Sequence, residues 1–190
     1  VSVNKTDAAL PLFKTALEAN PEIERFWISY IDALVKDNQL KSAKQAIRKA
    51  KKHGCQVWLN AAPARKMSSE LLSKIDVLIM NRIEAKFYES NLLSGKASHI
   101  TRILTLGSKG VQIQFPGEKL KSYPAYPVRT HSTHGAGDTF VGSLATGRLA
   151  GKNFESALNY AQAAAALYVS TPLRKRPNLS PEDVLRFLQN

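Results

Sequence analysis

The stretch His131 to Phe140, HSTHGAGDTF, holds the residues whose types and spacing could do chemistry. Gly135, Ala136 and Gly137 stand directly before Asp138, and Phe140, Val141 and Leu144 follow at helical spacing. Glycine suits positions where the backbone takes unusual angles or approaches another group closely. A glycine-rich turn that opens a helix presents backbone N–H groups without intrahelical partners, and the helix dipole adds positive potential, so the turn suits an anion. The Asp138 carboxylate adds no donor for such an anion. It can accept a proton from a substrate hydroxyl while the backbone stabilises the charge on a transferred phosphoryl group. The residue types equally allow a structural account, in which Asp138 caps its helix and the glycines permit tight packing.

The elements around this stretch come in two textures. With 190 residues, 44% hydrophobic and 22% charged, the chain reads as globular, one domain or one domain with a small appendage. Apolar runs such as Ala163 to Val169 are too short for a bilayer, and no signal-peptide pattern opens the chain, so a soluble, cytoplasmic protein is expected. The single cysteine, Cys55, allows no internal disulfide or cysteine metal cluster and reads as a small buried apolar residue. The net charge of +12 invites a nucleic-acid reading. Much of it, however, lies on Lys41, Lys44, Arg48, Lys49, Lys51 and Lys52, interleaved with Ala43, Ala46, Ile47 and Ala50 at helical spacing, which describes a solvated helix face. Neither nucleic acid nor membrane is an expected partner.

From Thr6 to about Gly54 the pattern is helical, predicting helices over 6–19, 22–36 and 40–53 with turns at Asn20-Pro21 and Asp37-Asn38. Ala9, Phe13, Ala16 and Pro21 recur 34 positions later as Ala43, Ile47, Ala50 and Cys55. That is the period of tetratricopeptide repeats, and Trp27 sits where their tryptophan belongs. The segment 1–54, with a boundary in 39–54, therefore resembles one and a half such repeats, too few to stand alone. Further repeats before Val1, or packing against the chain beyond Gly54, would complete it.

After Gly54 short β-prone runs appear at Gln56–Asn60, Val77–Met80, Ile103–Leu106 and Val111–Phe115, alternating with helices or turns. A mainly parallel α/β sheet is expected over 55–190, with Gln112 and Gln114 marking a more exposed strand. Helices are predicted from Ala136 to about Leu149, from Phe154 to Val169 and from Pro181 to Leu188, the last capped by Ser180. His131 and His134, three apart without a third ligand, are weak evidence for a metal.

The run HGAGDTFVGS resembles the second signature of the ribokinase-like, or PfkB, carbohydrate kinases. Companion motifs occur in the family's order: VWLNAAPA from Val57, DVLIMNRIEA from Asp76, ILTLGSKGV from Ile103, and NYAQAAAALYVS from Asn159. The resemblance covers about Lys41 to the C-terminus and implies a partial three-layer α/β domain that binds ATP and magnesium. It implies Asp138 as the base for a sugar hydroxyl and Gly135, Ala136 and Gly137 as the anion hole. It implies Thr105, Leu106, Gly107, Ser108, Lys109 and Gly110 as the nucleotide loop, and Gln162 at the adenine. Asn81 and Glu84 match the family's Asn-x-x-Glu motif for magnesium-bound phosphates, with Glu84 reaching the metal through water. Taken singly, Asn81 could be a helix cap with Glu84 completing the pair, the lesser of the two readings.

The chain departs from that pattern where helical-repeat sequence occupies the place of the N-terminal sugar-binding half, and where Ser132 replaces the signature's leading aspartate. The tail TPLRKRPNLS lacks the family's glycine-containing ending near a monovalent cation, so potassium activation is not expected. Only Asn91 to Ser98 separates FYES from HITRILTLG, where the family carries another helix. Two functions are compatible with these residues: a magnesium-dependent kinase moving the ATP γ-phosphoryl group to a sugar or nucleoside hydroxyl, or a catalytically incompetent nucleotide-binding module whose repeats recruit a protein partner. The sheet edge left by the absent half is expected to be covered by the helical segment or by a second copy, as a homodimer.

Overall fold

In the computed structural model, residues 5–20, 30, 31, 34, 39–93 and 97–189 are described. The first helix, α1 (Lys5–Ala19), and the second, α2 (Leu40–Lys52), form where the apolar spacing places them. On α2, Ala43, Ala46, Ile47 and Ala50 are all buried, while the lysines and Arg48 line the other side. Three cationic side chains of that face are paired: Lys44 and Arg48 bind the two oxygens of Glu70 at 3.0 and 2.7 Å, and Lys51 pairs with Asp76. The helix predicted over 22–36, Trp27 included, lies mostly outside the described residues; within it Ile31 and Leu34 are helical and buried.

Strand β1 (Trp58–Asn60) is followed by the short helix α3 (Ser69–Leu72), which Ser68 caps by accepting from Leu71 N–H at 3.3 Å. Strand β2 (Val77–Asn81) runs parallel to β1, with Trp58 opposite Val77 and Asn60 opposite Ile79. Helix α4 (Arg82–Leu93) leads to β3 (Thr101–Thr105), β4 (Val111–Gln114) and β5 (Lys121–Tyr123). The sheet order is β1-β2-β3-β4-β5. On β4, Val111 and Ile113 are buried and Gln112 and Gln114 half-buried, the alternation of a strand with one wetter face. Helices α5 (Ala136–Leu149), α6 (Phe154–Ser170) and α7 (Pro181–Gln189) complete the order. β5 has no sequence counterpart among the predicted strands, since its Lys121, Ser122 and Tyr123 carry no apolar run.

Two compact units result: residues 1–104 with 113–120, and residues 105–112 with 121–190. In the first, Leu17, Ile31, Leu34, Ala43, Ile47 and Ala50 belong to one buried cluster with Val57, Leu59, Leu71 and Leu78. A separate all-α repeat segment over 1–54 is therefore not supported. The small alanines that suggested repeat packing are used in a core shared with the first strands. Asp76 ties this unit together: its Oδ2 accepts from Val57 N–H at 2.6 Å, and its carbonyl accepts from Thr101 N–H at 2.8 Å.

The second unit is built on α5 against α6. A Cβ at Gly147 would stand 3.2 Å from the Ala157 Cβ, so the helices approach as closely as glycine against alanine permits. Helix α7 begins with a reciprocal cap, Asp183 N–H donating to Ser180 Oγ at 3.3 Å and Ser180 N–H to Asp183 Oδ2 at 2.8 Å. The bond from Ser180 N–H, then the one its hydroxyl donates to Asp183 Oδ2 at 3.0 Å, lower the Asp183 carboxyl below its ordinary range. Among the described residues no helix is long and apolar enough to cross a membrane.

Candidate active site

In the first unit, β2 ends at Asn81 and α4 starts at once, so the corner must satisfy the first N–H groups of the helix. Asn81 Oδ1 accepts from Ile83 N–H at 2.8 Å and Glu84 N–H at 3.0 Å. Glu84 reaches back, its Oε2 accepting from Asn81 N–H at 2.7 Å and its Oε1 from Asn81 Nδ2 at 3.0 Å. This is a capping box with asparagine as the cap. Glu84 is 5% exposed, and each of its oxygens already holds one hydrogen bond. The loop after β1 is pinned from α4: Tyr88 Oη accepts from Arg65 N–H at 2.9 Å and donates to the Arg65 carbonyl at 2.5 Å. Burial pushes the Tyr88 hydroxyl up, so it remains a donor. Cys55, at the entry to β1, is buried.

The second unit carries the loop Thr105–Gly110, the turn Gly135–Asp138 and Gln162. After β3 the chain makes a single 3₁₀ turn, Gly107–Lys109, closed by Leu106 N–H on the Gly110 carbonyl at 2.8 Å and Gly110 N–H on the Gly107 carbonyl at 3.0 Å. Gly110 has φ +94°, and a Cβ there would lie 2.0 Å from the Tyr123 carbonyl oxygen. Only glycine fits that contact and that backbone angle.

At the other motif, Gly135 is the N-cap of α5 with φ +81°, in the left-handed region. Its carbonyl accepts from Thr139 N–H at 3.0 Å and Thr139 Oγ1 at 2.9 Å. Ala136 N–H donates to the Thr133 carbonyl at 3.1 Å, so of the three residues expected to line an anion hole, Ala136 uses its donor within the turn. The N–H groups of Gly135, Gly137 and Asp138 have no acceptor among the described residues. Asp138 is exposed, and no described residue donates to its carboxylate. Asp138 is therefore not the cap, since that position belongs to Gly135, whose absent side chain cannot serve.

On α6, Gln162 is 9% exposed, and its Oε1 is buried without a hydrogen-bond partner among the described residues. Such an atom is costly unless a ligand or water satisfies it. Sequence reasoning missed Arg176 and Tyr168. Arg176 lies in the short 3₁₀ stretch Leu173–Asn178 and is buried, whereas Arg174 and Lys175 beside it are exposed. Nothing in the run RKR marks which cation turns inward.

The model of the pfkB family carbohydrate kinases matches residues 2–179. The match thus includes the segment that the 34-residue period set apart. A ribokinase of Haemophilus influenzae is 32% identical over 166 residues, covering 81% of this chain and 54% of that protein. Among solved structures, Thermotoga maritima ribokinase superposes with a TM-score of 0.64 at 30% identity, over 76% of this chain and 52% of that one. Arabidopsis thaliana ribokinase, complexed with ribose and ATP, gives a TM-score of 0.68 at 29% identity, over 77% and 52%. The chain spans about half the length of the ribokinases it matches.

Proposed function

Because the chain belongs to the pfkB family of carbohydrate kinases, we propose that it serves phosphoryl transfer from ATP to a sugar hydroxyl, with Asp138 as the base. One observation carries this reading: the start of α5 combines three N–H groups without acceptors among the described residues and an exposed aspartate to which no described residue donates. The N–H groups of Gly135, Gly137 and Asp138 donate to anionic oxygens, aided by the helix dipole, while the Asp138 carboxylate takes the acceptor's proton. The loop Thr105–Gly110, held in a fixed 3₁₀ turn, forms the nucleotide's other wall. The buried Gln162 oxygen suits an amino group of the base.

ATP supplies the phosphoryl group, and magnesium, when bound, offsets its charge. Glu84 suits an indirect role toward that metal. Both its oxygens are hydrogen-bonded to Asn81, but each retains a lone pair for a metal-bound water. Ribose is the first acceptor to assay, since the Haemophilus influenzae, Bacillus subtilis and Lactococcus lactis relatives, each above 30% identity, are ribokinases.

The alternative, a module whose repeats recruit a partner, is less well supported, because the alanines of α2 are committed to a core shared with β1 and β2. We propose instead that residues 1–54 form part of the kinase fold. Titration with magnesium and ATP, followed by an ADP-release assay with ribose and other sugars, tests the proposal. Saturable ATP binding with sugar-dependent ADP release is expected. Binding without release under any acceptor would leave the nucleotide-binding module, and no binding would refute both.

A further inference from the structure

Arg176 is 7% exposed, and no acidic side chain among the described residues pairs with it. Its guanidinium is satisfied by backbone instead. Nε donates to the Thr171 carbonyl at 3.0 Å, Nη1 to the His134 carbonyl at 3.1 Å and Nη2 to the Ser132 carbonyl at 2.7 Å. Its Cζ lies 4.4 Å above the Tyr168 ring, a cation–π distance. Tyr168 in turn closes on the turn itself, for a Cβ at Gly135 would stand 2.9 Å from its hydroxyl. His131 N–H donates to the Val169 carbonyl at 2.8 Å, so residues 131–135 are held from behind by the end of α6 and by Arg176.

A buried charge without a counter-charge is costly, and a neutral side chain could fill the same volume. The fork is needed for aim. The His134 carbonyl and the Gly135 N–H belong to one planar peptide unit, so fixing the first fixes the direction of the second. The positive charge, met among the described residues by carbonyl dipoles and the Tyr168 ring rather than by a carboxylate, also adds to the potential at the start of α5.

We propose that Arg176 is a positioning residue for the phosphate-binding turn: by gripping the Ser132 and His134 carbonyls it orients the N–H groups beyond them, and its unneutralised charge favours anionic oxygens there. This rests on the ATP-binding reading above.

The test compares ATP with adenosine, which shares the base and ribose but has no phosphates, by calorimetry on the full chain. Arg176→Met retains the aliphatic stem and loses the fork and charge. Its affinity for ATP is expected to fall about 10- to 100-fold, the range for losing hydrogen bonds to a charged group. Adenosine affinity should stay within about twofold, because the fork acts on the phosphate side alone. Low-millimolar guanidinium should restore part of the ATP affinity. Arg176→Lys, which keeps the charge without the fork, should fall between the two and decides the matter if the Met variant does not fold. Parallel loss of ATP and adenosine, or unchanged ATP affinity, would overturn the proposal. A wild-type chain that binds neither ligand would refute the nucleotide reading itself, a different result from a wild type and an Arg176→Met variant that bind ATP equally.

Discussion

The corner at Asn81–Glu84 and the turn at Gly135–Asp138 both open a helix, yet they use their polar groups in opposite ways. At the first, side chains satisfy the helix start: Asn81 Oδ1 accepts from two N–H groups, and the Glu84 carboxylate accepts two bonds from Asn81. At the second, the cap is a glycine without a side chain, three N–H groups have no acceptor among the described residues, and the aspartate is exposed. A carboxylate near a helix start is thus not informative by itself. It can complete a cap and stiffen the corner, or remain available for a substrate, and the difference lies in which residue occupies the cap position.

The contrast breaks most visibly at Asp138. Asp138→Asn should keep ATP affinity while phosphoryl transfer falls by roughly 10²–10⁴-fold, the usual share of a positioned base. Asp138→Ala should shift the unfolding free energy by less than about 0.5 kcal/mol, as for an exposed residue without a structural partner. Full transfer by the Asn variant, or a loss of about 1 kcal/mol in the Ala variant, would return Asp138 to the role of a cap.

A second substitution tests the loop that shares the second unit. Gly110→Ala meets both a positive φ and the Tyr123 carbonyl, and should cost about 2–4 kcal/mol in denaturant unfolding. A change under about 1 kcal/mol would show that the contact with Tyr123 relaxes freely.

The capping box gives a smaller effect. Asn81→Ala removes the cap of α4 and should cost about 1 kcal/mol of stability, read from the shift in denaturant midpoint. No shift would mean that the box contributes nothing and that Asn81 is kept for the ligand alone.

The smallest effect is electrostatic. Hydrogen bonds from Lys44, then Arg48, hold the Glu70 carboxyl below its ordinary value of 4.5. A carboxyl depressed in the folded state stabilises the protein fully above its unfolded value and loses that contribution as pH falls through the lower folded value. The melting temperatures of wild type and Glu70→Gln should therefore differ slightly near neutrality and converge below pH 4.5. A gap that persists in acid would assign the effect to packing.

Much of this was legible in the residues. The α/β alternation, the helix at Ala136–Leu149 and the cap at Ser180 follow from period and composition, because each depends on neighbours in sequence. The Asn81–Glu84 capping reading was legible for the same reason, as a contact three residues apart. The 34-residue period finds no support as a separate repeat segment: small alanines permit close packing against any neighbour, and here they share a core with the first strands. β5 escaped notice because its residues are polar and its register comes from the strand beside it. Arg176 was invisible as a site residue because its partners, 42 and 44 positions away, are backbone carbonyls that no side chain announces.

On the proposed reading, the N–H groups left free at the start of α5 among the described residues bind the phosphates of ATP. Gly137 tests it with least ambiguity, for a Cβ there meets nothing within 4 Å and its φ lies outside the left-handed region, so the position has room for a side-chain carbon. Calorimetric titration of wild type and Gly137→Val with magnesium and ATP, at matched melting temperature, is the measurement. Saturable binding is expected for wild type and its loss in the valine variant, whose branched side chain stands where the phosphates approach the backbone. Equal ATP affinity in the two proteins would contradict it.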